Sequence, residues 1–212
     1  ADLARNPGFA WRYGVRPGDN DTSTTGWFAQ ALARARELNA REDLAGRREP
    51  FTFDPLAFDG IRTWLDKMTD PDTGRVGYQQ RGTGPARPQE LVDRFPADRS
   101  ESMTASAMLA RLLAGETPRT SEAIRKGADL CARLPPTWNK DDGSIDMYYW
   151  HHATAALRRV GGPTWDAWRL RMIAVAETSQ RRDGTFDAYK GSWDGLDPWG
   201  ADGGRVYATA MM

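Results

Sequence analysis

The sequence predicts an all-α chain, and three observations carry that reading. Every apolar periodicity long enough to define an element recurs at three-to-four residues. β-branched residues are scarce, and no alternating stretch of strand length occurs. Two kinds of helix alternate along the chain, one charged on one face and one rich in Thr, Ala, Tyr and Met.

The elements follow in order. Residues 25–39 place Phe28, Leu32, Ala35 and Leu38 on one side of a first helix. Residues 55–69 carry the stripe Phe58, Ile61, Trp64, Leu65 and Met68. Residues 101–114 repeat Met103, Ala107, Met108 and Leu112, and 119–134 repeat Ile124, Ala128, Cys131 and Leu134. Residues 147–160 form a fifth helix, and 164–180 a sixth with Trp165, Trp168, Met172 and Ala176. A seventh begins at 205 and runs to Met212. The segments 40–54, 79–100 and 187–204 read as long loops, consistent with 21 glycines, 13 prolines and nine tryptophans that fill irregular gaps.

A repeat underlies this order. DPDTGRVGY (70–78), KDDGSID (140–146) and QRRDGTFD (180–187) each follow a charged helix with a Gly-bearing turn and an apolar or aromatic residue. The other helices open on TSTTGW (22–27), SESMTASAM (100–108), MYYWHHATAAL (147–157) and RVYATAMM (205–212), with Thr25, Thr104, Thr154 and Thr209 in similar places. The charged helices suit an outer layer and the small-residue helices a closely packed inner one. A helix pair of this kind buries its apolar face only by stacking on further pairs or closing into a ring.

The residues from Trp168 to Phe186, with a helix ending in Gln180, then Gly184, then Phe186, resemble the glutamine–tryptophan repeat of the squalene-cyclase and protein-prenyltransferase superfamily. WRYGVRPGDNDTSTTGW and DGGRVYATAMM are similar to inner-helix starts of bacterial prenyltransferase/squalene-oxidase-repeat proteins. The resemblance covers most of residues 9–212 and implies an α/α toroid of concentric inner and outer helices. A complete ring of that family has about twelve helices. Seven therefore imply a partial toroid, a single domain over 1–212 completed by missing segments or by another chain.

The same resemblance frames the chemistry. Class II cyclases of the superfamily protonate substrate with a D-x-D-D motif heading an inner helix, whose middle acid needs a raised proton affinity. In GDNDTSTTGW (18–27) an alignment ending on Asp21-Thr22 puts Asn20 at that acid and Gly18 at the first position, so the proton donor is missing. Asp21 and its neighbouring hydroxyls instead suit the capping of a helix start. The Asp-x-Cys zinc pairing of the prenyltransferases and the Gly-Cys-Gly-Glu-Gln thioester site of complement-like toroids are absent too.

Other clusters bear on function. Asp70 and Asp72 have the spacing of a calcium-loop start but lack its later Glu, and they equally suit a turn after a helix. His151 and His152 are the only histidines. Adjacent helical residues diverge by about 100°, so they do not share one ion, although one can line a cavity with Asp146 fixing its tautomer. Cys131 reads as a buried apolar thiol. Asp194, Asp197 and Asp202, interleaved with Trp193 and Trp199, resemble a sugar-binding tract and equally a Gly-rich loop pinned by aromatics.

Lys+Arg and Asp+Glu balance at 29 each, so no overall field favours nucleic acid, and no apolar run reaches the roughly 20 residues of a membrane span. The reading is a non-catalytic binding or interaction protein on a cyclase-like scaffold, without cofactor and with no metal site. Asp19, Asp21, Trp27, Tyr148, Tyr149, His151, Trp193 and Tyr207 are expected to line its ligand surface, with an apolar compound or a carbohydrate as ligand. The alternatives are a cyclase- or prenyltransferase-like enzyme of altered acid chemistry and a carbohydrate-active α/α-barrel enzyme.

Overall fold

A computed structural model describes residues 4–6, 9–44, 46, 49–182 and 187–212. The segment 183–186, which holds the Gly184 turn and Phe186 of the third repeat, lies outside the described residues. Among those described, seven α-helices account for the regular structure: α1 (Thr22–Asn39), α2 (Ala57–Met68), α3 (Ser102–Leu113), α4 (Glu122–Arg133), α5 (Met147–Val160), α6 (Gly162–Ser179) and α7 (Gly200–Met211). All seven helices that periodicity predicts are present. The only β pairing in the described residues is a single bridge between Thr69 and Val76, which closes the DPDTG turn.

The helices lie in two rows. α1, α3, α5 and α7 pack side by side in chain order, each on the next, while α2 covers α1 and α3, α4 covers α3 and α5, and α6 covers α5 and α4. Composition explains the division. α3 is buried continuously from Ser102 to Arg111, which its small uncharged residues permit because neighbouring backbones can approach from all sides. α2 buries only the stripe Phe58, Ile61, Trp64, Leu65 and Met68, together with Ala57 and Gly60. α4 buries Ile124, Gly127, Ala128 and Cys131, the one-sided pattern of an outer helix. α6 is the least buried, with Trp168 and Val175 inside and Leu170 and Ile173 exposed.

The recurring threonines tie the rows to the turns. Thr25 Oγ1 accepts a hydrogen bond from the Trp11 backbone N–H at 3.2 Å, Thr104 Oγ1 from Val76 N–H at 3.1 Å, and Thr209 Oγ1 from Trp193 N–H at 3.2 Å. Thr154 differs, accepting from the Trp168 indole at 2.9 Å. A hydroxyl that accepts from a backbone amide of the preceding segment at α1, α3 and α7, with α5 the exception, is the physical content of the repeat. In the turns, Gly74 and Gly143 both sit at positive φ, 78° and 71°, which sets the chain back toward the next inner helix.

Two boundaries depart from the expected ones. α1 starts at Thr22 rather than 25, because Asp21 caps it from just outside. α7 takes in Gly200–Gly203 from the expected loop 187–204, then breaks at Gly204 (φ 59°, ψ −159°), so its regular part begins where periodicity places it. The long loops also contain short 3₁₀ turns at Glu42–Leu44, Gln89–Leu91, Ala97–Arg99 and Asp187–Tyr189.

The N-terminal segment packs on α2 so closely that a Cβ at Gly60 would lie 2.1 Å from the Phe9 carbonyl oxygen. Gly60→Ala should therefore cost about 2 kcal/mol net, since overpacking outweighs the roughly 1 kcal/mol helix-propensity gain. Gly127 in α4 is the control: its Cβ would meet the Thr104 methyl at 3.4 Å, an ordinary contact. Gly127→Ala is expected to leave the urea midpoint unchanged or raised, while Gly60→Ala lowers it.

Candidate functional site

A cavity of about 450 Å³ opens on the face of the inner row away from α2, α4 and α6. α1 contributes Ser23 and Trp27, α3 Ser102 and Met103, α5 Tyr148, and α7 Tyr207 and Met211. Loops close it with Tyr13, Tyr78, Pro85, Ala86, Arg87 and Trp199. Among the described residues that line it, six are aromatic and none is acidic. The volume and apolar lining are those of a small-ligand pocket.

Carboxylates head the inner helices just behind this lining. Asp21 is fully buried, and its Oδ1 accepts from the Thr24 amide at 2.6 Å, capping α1. The GDNDTSTTGW cluster thus works locally as the start of a helix. Burial raises the proton affinity of Asp21, against the hydrogen bonds from Thr24 that lower it. Asp146 caps α5 through Tyr149 N–H at 2.9 Å, and its other oxygen accepts from Arg87 Nη2 and Ser100 Oγ, both at 2.7 Å. Both members of the Arg87–Asp146 pair are almost wholly buried. Asp197 accepts from Met147 N–H at 3.2 Å, Trp199 N–H at 3.1 Å and the Tyr207 hydroxyl at 3.0 Å. Burial and the nearby charge of Asp146 push the Asp197 carboxyl up to about 6.

Three of the cavity tyrosines, Tyr78, Tyr148 and Tyr207, have their hydroxyls engaged. Tyr148 Oη and Ser23 Oγ share a hydrogen bond at 2.8 Å. Burial and the charge of Asp21 push the Tyr78 phenol up to about 12. Tyr207 is raised further by burial and by Asp197. These phenols stay neutral at physiological pH and present ring faces and edges to the cavity.

The expected surface residues divide. Trp27, Tyr148 and Tyr207 line the cavity together. Asp21 lies behind it, and Asp19 is exposed outside it, paired with Arg12 at 2.8 Å. Tyr149 points away from it, into the packing against α4, donating to the carbonyls of Cys131 and Leu134 at 3.2 and 3.0 Å. Trp193 is pinned between α6 and α7, its indole donating to Ser179 Oγ at 3.0 Å. His151 faces a separate groove of about 420 Å³ with Trp150, Met172, Met211 and Met212. Helix geometry causes the split, since adjacent residues such as Tyr148 and Tyr149 point about 100° apart.

Neither histidine depends on Asp146 for its tautomer. His152 Nδ1–H donates to the Tyr148 carbonyl at 2.9 Å, leaving Nε2 to accept from Gln30 at 3.5 Å. Burial holds His152 neutral, with a pKa lowered to about 4. Cys131 is fully buried and its thiol is pushed up to about 12, away from nucleophilic chemistry. Asp70 Oδ1 is occupied by the amides of Asp72 and Thr73 and by the Thr73 hydroxyl, the pattern of a turn. Among the described residues no group of three or more His, Cys, Asp or Glu is placed to hold a metal ion. In the aromatic tract, Asp194 pairs with Arg181 and Arg205 and Asp202 is exposed, so the three aspartates face no common point.

Tyr13, Tyr78 and Arg87 are cavity residues that the sequence reading did not single out, and Trp199 entered it only as part of the aspartate–tryptophan tract. Tyr78 carried a usable signal, as the aromatic that ends the VGY turn; Arg87 in its Pro-rich loop carried none. No helix of the described residues is long and apolar enough to cross a membrane. No family model, curated protein or solved structure matches the chain.

Proposed function

We propose that the chain is a non-catalytic binding protein on a partial α/α-toroid scaffold of the squalene-cyclase type, which takes a largely apolar ligand against its inner helices. The observation that carries this reading is the cavity lined by Tyr13, Trp27, Tyr78, Tyr148, Trp199 and Tyr207. The two-row packing and the repeated threonine contacts support the scaffold. The acid-free lining favours binding over cyclase-type protonation, because Asp21 and Asp197 stand behind it with their oxygens already accepting hydrogen bonds. It likewise favours an apolar ligand over glycoside chemistry, which needs two carboxyls facing one bond.

Trp27 is 38% exposed, and its ring borders both the cavity and the Tyr148–His152 stack. Binding of the neutral fluorescent probe N-phenylnaphthylamine should be saturable. Trp27→Ala should weaken it about tenfold or more, the loss typical of a central tryptophan. Unsaturable binding, or an unchanged affinity in a variant with native circular dichroism, would sink the reading.

A further inference from the structure

The electrostatics of the cavity specify more than apolarity. We infer that it selects an organic cation, an alkyltrimethylammonium-type ligand whose charged head sits among the tyrosine and tryptophan rings; this rests on the cavity being the ligand site. Six aromatic residues ring the space, and aromatic faces attract a cation whose charge is sheathed in methyl groups. The rings are backed by negative charge. Tyr207 donates its hydroxyl to the Asp197 carboxylate at 3.0 Å, and Tyr78 lies beside Asp21. A phenol that donates to a carboxylate carries a more negative ring face, so both walls gain attraction for positive charge.

Among the described residues of the lining the single basic one, Arg87, is not free to compete for a ligand site, being engaged on all sides by the protein. Its Nη2 bonds Asp146 at 2.7 Å, its Nε bonds the Phe95 carbonyl at 3.3 Å, and its Nη1 bonds the Ala86 carbonyl at 3.1 Å. Nearby Glu101 is likewise paired with Arg75. Among the described residues Asp197 has no such ion pair, and its oxygens accept from two amides and a phenol. Arg12, the cation beside Tyr78 and Asp21, is itself paired with Asp19 at 2.8 Å, so the local balance is negative, yet among the described residues no carboxylate oxygen reaches the lining. With no carboxylate at the lining for a primary ammonium ion to pair with, the arrangement suits a quaternary one, which has no N–H to satisfy and is held by ring faces. The volume leaves room for an apolar tail beside the head.

The test is isothermal titration of the full chain with choline and hexyltrimethylammonium, and with the neutral choline isostere in which a tert-butyl carbon replaces the ammonium nitrogen. Choline should bind about tenfold more tightly than its isostere, and hexyltrimethylammonium more tightly still. Tyr207→Leu should remove most of the preference for charge, while Tyr207→Phe, which keeps the ring but not the link to Asp197, should reduce it in part. Equal binding of choline and isostere overturns the cation inference and leaves the apolar-ligand reading standing. Binding of N-phenylnaphthylamine without either quaternary ion does the same. Failure of all the probes overturns both readings.

Discussion

Asp146→Ala is expected to destabilise the protein by about 4 to 6 kcal/mol, the largest effect of any single substitution considered. Two losses combine. Arg87 and Asp146 have side chains only 3% and 2% exposed, and removing one member of such a pair strands the other charge in a dry site, typically a 3–5 kcal/mol loss. The same carboxylate caps α5 through Tyr149 N–H, a contact worth about 1 kcal/mol, and accepts from Ser100. Arg87→Leu alone should be severe for the reciprocal reason. The double variant Arg87→Leu/Asp146→Ala should cost far less than the sum of the two, because no charge is then left unpaired. Urea denaturation of the four proteins measures this coupling. A loss under about 2 kcal/mol for Asp146→Ala would show that water reaches the pair.

Acid should reveal a second large effect, one hidden in the unmodified protein by cancellation. His152 binds a proton less readily folded than unfolded, about 4 against the ordinary 6.5. Its stabilising contribution is complete above pH 6.5 and is lost as pH falls toward 4, a change of about 3 kcal/mol. Asp197 runs oppositely, because its folded pKa, near 6, is raised above the ordinary 3.8. Its relative contribution is complete below about 3.8 and is lost as pH rises through 6, again by about 3 kcal/mol. The two windows overlap between pH 6.5 and 4, so these residues together leave stability nearly level there. Asp197→Asn should therefore lose about 3 kcal/mol relative to the unmodified protein on going from pH 7 to pH 4, and His152→Gln should gain about as much. Parallel pH profiles for all three proteins would show that neither group carries its shift. Differences between variants isolate the effect from acids common to all three, such as Asp70 and Asp194, which hydrogen bonds and arginines hold below their ordinary values.

Both results turn on residues whose importance is unequally visible in the chain. His152 stands out as one of two histidines on an aromatic helix, and Asp146 as an acid before a helix start. Asp197 sits among three aspartates in a Gly-rich tract, and nothing local separates it from Asp194, which pairs with two arginines at the surface. Burial makes the difference, and burial depends on where α5 and Tyr207 lie. Arg87 is 59 residues from its partner Asp146, so the pair exists only once the 79–100 segment has folded back over the head of α5.

The cavity teaches the same lesson about inner helices. Trp27, Tyr148 and Tyr207 could be chosen from sequence because each is an aromatic within a repeated helix start that carries hydroxyl and small residues. Tyr149 has the same neighbourhood in sequence yet faces α4, since the 100° step from one helical residue to the next separates cavity from interior. A sequence pattern identifies a helix start to within a few residues, and that tolerance exceeds the one-residue step that swings a side chain by about 100°.

By itself the sequence determined the all-α class, the seven helices, the alternation of charged and small-residue helices, and the capping use of Asp21. These are consequences of local periodicity and local hydrogen bonding, which act within a few residues. Only the tertiary structure decided which aromatics share a cavity, that Arg87 neutralises Asp146, and that Asp197 stays buried behind Tyr207. Those outcomes depend on contacts between segments distant in the chain, where desolvation and the placement of neighbouring charges, rather than residue type, set what each group does.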